Sequence, residues 1–211
     1  MAHYSQMPYL KIFLLLSLLM VFLPGLLGFG GNKRGRFEPD RVQTQRTRLL
    51  YAFWIIVYLL WFFIVALYCF KPESVGWFWE ISLLNNDGVK IFAVVIICLG
   101  YYLLMLLSAF QVYKSIKPYI IKGERTPLAT TGIFRYTRHP MYLSIDFGVV
   151  AIFLLVPNLL TLIMAIAMIT VLYAVSRDEE KRLLQIYGEE YEKYRNDVGL
   201  ILPKLKGRRS T

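Results

Sequence analysis

The chain has 211 residues, of which 57% are hydrophobic and only 18% charged, and this balance excludes an ordinary soluble domain. Its net charge of +10 could suggest nucleic acid, but the basic residues gather between apolar runs and not on one amphipathic element, so no nucleic-acid partner is expected. The composition is that of a multi-pass membrane protein.

Residues 8–29, 49–70 and 89–113 each reach or exceed the ~20 residues needed to cross a bilayer core. The first run could be a cleaved signal peptide, but Lys11 is its only preceding charge and no A-x-A-like site follows, so it is read as a membrane helix. Residues 143–176 form a longer apolar region, which as one helix would measure about 51 Å against a core of roughly 30 Å. It must fold back. Pro157-Asn158 is the natural corner, with a first arm from near His139 and a second ending near Ser176. The expected fold is an all-α polytopic membrane helix bundle of about five transmembrane helices, the last two a tight hairpin, with a cytoplasmic C-terminal helical segment.

Lys33, Arg34, Arg36, Arg41, Arg46 and Arg48 crowd the first loop, and Lys114, Lys117, Lys122, Arg125, Arg135 and Arg138 the segment before the hairpin. Short cytoplasmic loops collect such residues, so both belong inside, the N-terminus outside and the C-terminus inside. Cys69 and Cys98 fall inside predicted spans as small apolar residues, and no Cys/His spacing suits zinc, so neither a disulfide nor a metal is expected.

The polar chemistry gathers in two segments, "RTPLATTGIFRYTRHPMY" at 125–142 and "SRDEEKRLLQIYGEEYEKYRNDVGLILP" at 176–203. The hairpin leaves the inner face after the first and returns to it before the second, so the two are neighbours in space. Pro140 suits the first turn of the hairpin, with His139 near the N-cap, and the free N–H groups there favour an anion. Arg135 and Tyr136 read better as membrane-boundary residues. In the second segment Leu183, Leu184, Ile186 and Tyr187 make an inward stripe on an ideal wheel, flanked by both Glu179 and Glu180, and Gly188 ends the helix. A carboxylate, a helix N-terminus with arginine and aromatic rings suit a zwitterion carrying a flat base. S-adenosylmethionine is one such ligand among several.

At these residues the chain resembles the integral-membrane isoprenylcysteine carboxyl methyltransferase family and, more loosely, the membrane phospholipid methyltransferases. The likeness covers roughly residues 126–203 and combines Arg-His-Pro-x-Tyr, the hairpin, a Glu-Glu pair and Gly-x-x-Tyr-x-x-Tyr. The apolar runs give three N-terminal transmembrane helices over 8–113, and the whole chain is read as one membrane domain over 1–211. A methyltransferase-like region over 125–203 would contain the hairpin and a C-terminal cap. The likeness also implies an S-adenosylmethionine site on the cytoplasmic side and a lipophilic small-molecule or lipidated substrate arriving from the bilayer, among membrane lipids and with no obligate protein partner. The cofactor contacts it implies are Thr126, Pro127, Leu128, Ala129, Phe134, Arg138, His139, Pro140, Met141, Tyr142 and Glu179. Glu180, Arg177 and Tyr187 are the candidates for catalytic roles. Where the prenylcysteine enzymes place a substrate-contacting arginine this chain has Val175, which leaves the methyl acceptor open between a carboxylate, an amine and a thiol. An NADPH-dependent reductase of the sterol-reductase type and a non-enzymatic membrane scaffold are the competing readings.

Overall fold

The computed structural model describes residues 11–12, 45–71, 81, 84, 86–122 and 127–204. The expected span at 8–29, apart from Lys11 and Ile12, most of the first basic loop and Thr126 lie outside the described residues.

Helix α1 (Gln45–Phe70) is followed by α2 (Asp87–Val95), which runs through a π-helical stretch (Ile96–Leu103) into α3 (Leu104–Lys122). A 3-10 turn (Gly132–Arg135) leads to α4 (Pro140–Leu155), α5 (Leu159–Tyr187) and α6 (Glu189–Asp197). Asn86 starts α2 by accepting the Val89 N–H at 3.0 Å on its side chain. Among the described residues there is no strand, only an isolated parallel bridge between Thr137 and Gly199.

Among the described residues, three segments, Arg48–Phe70, Asp87–Ser115 and Leu159–Tyr187, are long and apolar enough to cross a membrane. The fold is an all-α membrane helix bundle. The first arm of the hairpin differs from a full span: α4 has 16 residues, about 24 Å, and falls short of the roughly 30 Å core. The second arm exceeds it. Helix α5 has 29 residues, about 43 Å, so one end projects beyond the core. The polar run after Ser176 makes that end the C-terminal one, and it carries Glu179 and Glu180.

The corner forms where the sequence places it. Asn158 caps α5 by accepting the Thr161 N–H at 3.0 Å on its side chain, and its own N–H reaches back to the Thr161 hydroxyl at 3.4 Å. The Asn158 amide donates to the Tyr68 hydroxyl on α1, and the Pro157 carbonyl accepts the Ile81 N–H at 2.8 Å. These bonds pin the hairpin tip and satisfy a buried polar residue that the apolar interior would otherwise penalise.

Trp61, Val65 and Tyr68 of α1, Val149, Ile152 and Leu155 of α4, and Met168, Leu172 and Val175 of α5 fill the interior. Val175, the position noted above for its missing arginine, is therefore part of the core. Helix α4 and the π-helical stretch approach closely because each offers a glycine to the other's aromatic ring. A Cβ on Gly148 would lie 2.9 Å from the Tyr101 ring, and one on Gly100 2.8 Å from that of Phe147. The outer surface is apolar as well, with Ile56, Leu59 and Phe63 of α1 and Ile91 and Phe92 of α2 exposed. An apolar exterior of this extent matches a lipid environment.

Candidate active site

The site is assembled by the turn before α4 and the projecting end of α5. Pro140 opens α4 at a position where no backbone N–H is needed. His139 is the N-cap residue, but its side chain makes no capping bond. It turns toward α5. On the other side, Gly188 adopts a φ of 57°, which ends α5 and redirects the chain into α6. The segment after α6 then lies along the turn: the Arg138 N–H donates to the Gly199 carbonyl and the His139 N–H to the Leu200 carbonyl, both at 3.0 Å. The Thr137 hydroxyl adds a bond of 3.1 Å to Leu200 O.

Two charge clusters share His139. In the inner one, Arg138 grips Glu180 through two nitrogens, Nε to Oε1 at 2.9 Å and Nη2 to Oε2 at 2.7 Å. The Tyr191 hydroxyl also donates to Glu180 Oε1, and His139 Nε2 lies 3.1 Å from the same oxygen. The remaining Arg138 nitrogen donates to the Arg195 carbonyl at 2.9 Å and to that of Val198. Burial, and then the Glu180 carboxylate it meets, push the Tyr191 phenol well above the usual tyrosine range, so it stays protonated and donates. The side chains of Arg138 and Glu180 are only 6% and 5% exposed.

The outer cluster is built on Glu179. Its Oε1 accepts from the Tyr51 hydroxyl of α1, and its Oε2 lies 3.5 Å from His139 Nδ1. The His139 ring stacks on Tyr142, with centroids 5.4 Å apart and planes within 4°. The Tyr142 hydroxyl also interacts with Tyr51 and Glu179. The Glu179 side chain is 20% exposed, so it can receive a further partner. Arg182, three residues on, acts electrostatically on Tyr51, and its buried Nε has no hydrogen-bond partner among the described residues.

His139, Tyr142 and Glu179 therefore come together, and Pro140 is buried at the start of α4. Leu128 and Phe134 pack instead with Leu183, Leu184 and Tyr187 around Tyr191, Tyr194 and Val198, under the C-terminal cap. The Tyr194 hydroxyl fixes this layer by donating to the Phe134 carbonyl at 2.6 Å. Pro127, Met141 and Arg177 are exposed, and Ala129 is half-buried. Arg138 and Glu180 pair with each other: all three guanidinium nitrogens bond within the protein, and Glu180 accepts from Arg138 and Tyr191 beside His139.

Sequence reasoning missed Tyr51, which looks like any aromatic residue of an apolar span. It also passed over Asp146, an acid inside the apolar first arm of the hairpin, although an ionisable residue in such a run is itself a signal of function.

The residues present fit S-adenosylmethionine. Glu179 and the stacked rings of His139 and Tyr142 offer a partly open anionic and aromatic surface to a sulfonium or ammonium group. The unused Nε of Arg182 offers a donor for a carboxylate.

Comparison with known proteins agrees with this chemistry. Residues 89–190 match the family model described as phospholipid methyltransferase. A methanethiol S-methyltransferase of Crocosphaera subtropica is 28% identical over 61% of this chain and 55% of its own length. A methanethiol S-methyltransferase of Pseudomonas deceptionensis is 33% identical over 47% of this chain and 35% of its own length. The protein-S-isoprenylcysteine O-methyltransferase of Saccharomyces cerevisiae is 34% identical over 36% of this chain and 32% of its own length. The chain thus spans about half, or less, of the length of these curated relatives. Over residues 89–190, the chain is similar to membrane methyltransferases of the phospholipid and isoprenylcysteine type.

Proposed function

We propose that the chain is an S-adenosylmethionine-dependent methyltransferase that modifies a lipophilic acceptor delivered from the bilayer. The observation that carries this reading is the half-open Glu179 carboxylate, held by Tyr51 and His139 beside the stacked ring of Tyr142 and an unused Arg182 donor. When bound, S-adenosylmethionine supplies an electrophilic methyl group on a sulfonium. The protein's task is to bind and align. Glu179 balances positive charge, the two rings offer their faces, and Arg182 Nε meets a carboxylate. Arg138 and Glu180 hold the C-terminal segment over the site and limit the entry of water.

The proposed acceptor class is supported by what the core lacks and by what the relatives' names say they act on. Two of the relatives act by name on methanethiol and one on protein S-isoprenylcysteine, so a sulfur-bearing, lipophilic acceptor is the common ground. Val175 stands where a carboxylate-binding arginine is expected in the prenylcysteine enzymes and is buried among apolar residues, which supports a thiol over a carboxylate. The clustering of lysine and arginine before the hairpin supports a cytoplasmic site with the N-terminus outside.

The test is a binding and transfer experiment on full-length protein in nanodiscs. Equilibrium dialysis should show S-adenosylmethionine binding that falls at least tenfold in Glu179→Gln and His139→Ala. Labelled methyl should pass from it to membrane lipids or small lipophilic thiols. Unchanged binding in both variants, or binding of NADPH in its place, would overturn the reading.

A further inference from the structure

A second site lies beneath the C-terminal segment. A cleft of about 810 Å³ runs between the π-helical stretch, α4, α5 and residues 199–204, with walls that include Ile96, Phe147, Val150, Ile169 and Leu200. This is the size of a small-molecule pocket. Tyr173 and Leu202 border it on the exposed face of the bundle, so it communicates with the apolar exterior. Lys204, at the segment's end, turns its ammonium to the Arg195 carbonyl at 3.3 Å and to that of Asn196. Its charge is directed to the cap.

One ionisable group inside this apolar lining has no visible reason to be there. Asp146 faces the cleft, and its buried Oδ1 has no hydrogen-bond partner among the described residues. A carboxylate taken out of water without a partner opposes folding, and polar groups in apolar surroundings are otherwise paired. Thr170, another polar side chain of the wall, gives its hydroxyl to the Ile166 carbonyl at 2.7 Å. The sequence places Asp146 one helical turn beyond Tyr142, on the same side of α4, because residues four apart are stacked neighbours. The carboxylate thus belongs to the lining of the cleft and sits one turn from Tyr142 of the Glu179–His139–Tyr142 cluster.

We propose that this cleft is the acceptor site and that Asp146 receives the hydrogen-bond-donating head of an apolar acceptor, a thiol or an amine, and excludes a carboxylate. The apolar walls take the acceptor's hydrocarbon part. The head's hydrogen meets the unpaired oxygen of Asp146; as the S–H or N–H bond breaks, the proton joins the carboxylate and the electron pair stays on sulfur or nitrogen. An acceptor with a carboxylate head meets like charge in a low-dielectric setting and is repelled. This rests on reading the chain as a methyltransferase, but the recognition itself is tested without methyl transfer.

Full-length protein in nanodiscs, without methyl donor, is titrated with hexanethiol, hexylamine and hexanoate by ligand-observed NMR. Hexanethiol or hexylamine should bind at least tenfold tighter than hexanoate, and the tighter of the two identifies the head. Asp146→Asn should weaken that binding at least tenfold and bring the three probes together. Val150→Phe fills the cleft without touching the carboxylate and should weaken all three, which serves if Asp146→Asn does not fold. Equal binding of the three probes to the native protein, tighter hexanoate, or indifference to both variants overturns the proposal. Labelled methyl transfer to the same probes is then measured. Selective, Asp146-dependent binding with no transfer to any acceptor keeps the cleft and sinks the methyltransferase reading.

Discussion

Glu179 and Glu180, consecutive residues of α5, hold the His139 ring from its two nitrogens: Glu179 Oε2 is 3.5 Å from Nδ1 and Glu180 Oε1 is 3.1 Å from Nε2. Their surroundings divide the work. Glu180 closes a buried ion pair with Arg138, whereas Glu179 keeps an exposed edge. Glu180→Gln should therefore act on folding. Removing one partner of a buried ion pair costs about 3–5 kcal/mol, read as a fall in the thermal midpoint and faster proteolysis of residues 195–204. Glu179→Gln should leave the midpoint close to native and weaken S-adenosylmethionine binding at least tenfold. Opposite assignments of the two effects would refute this division.

Tyr51 ties α1 to the site through its bond to Glu179. Tyr51→Phe removes one hydrogen bond to a charged group, a loss of about 1.5–3 kcal/mol that should appear as weaker S-adenosylmethionine binding. Calorimetric titration of the variant checks it, and native affinity in Tyr51→Phe would mean that α1 is only a wall of the bundle.

The interlock of Gly100 with Phe147 and Gly148 with Tyr101 leaves no room for a side chain. Gly148→Val should overpack this contact and cost about 1–3 kcal/mol. It should also disturb the cleft, since Phe147 is one of its walls. Thermal denaturation together with hexanethiol titration measures both effects.

Asp146→Asn removes a charge that has no partner among the described residues. In the absence of any ligand the variant should be more stable than the native protein, by about 1–3 kcal/mol. Gain of stability with loss of probe binding is the signature of a group kept for function at a cost to the fold. A destabilised Asp146→Asn would instead show that the carboxyl is structural.

Much of this arrangement is legible in the residues. Pro157-Asn158 marks the corner because a proline and a capping asparagine interrupt a run too long for one span, and Gly188 marks the end of α5 because only a glycine takes that backbone readily. The meeting of His139 and Tyr142 with Glu179 follows from the hairpin alone. The separation of Glu179 from Glu180 does not. Both flank the same stripe of an ideal wheel, and the choice is made by Arg138, whose position depends on carbonyls nearly 60 residues away, at Arg195 and Val198. Tyr51 was hidden for a related reason: nothing local distinguishes an aromatic residue that meets a carboxylate from one that meets lipid. Arg138 itself has the residue type of a ligand-binding group, and only its full set of bonds shows that the protein uses it internally.

The pairing of 137–139 with 199–200 also sets an order of assembly. When His139 is made, its partners on α5 and in the cap do not yet exist, and both arms of the hairpin must be in place before they arrive. Until then Arg138 has no carboxylate and Glu180, once synthesised, no lid. The inner charge cluster therefore closes only after Val198 has been made, when both arms of the hairpin already exist.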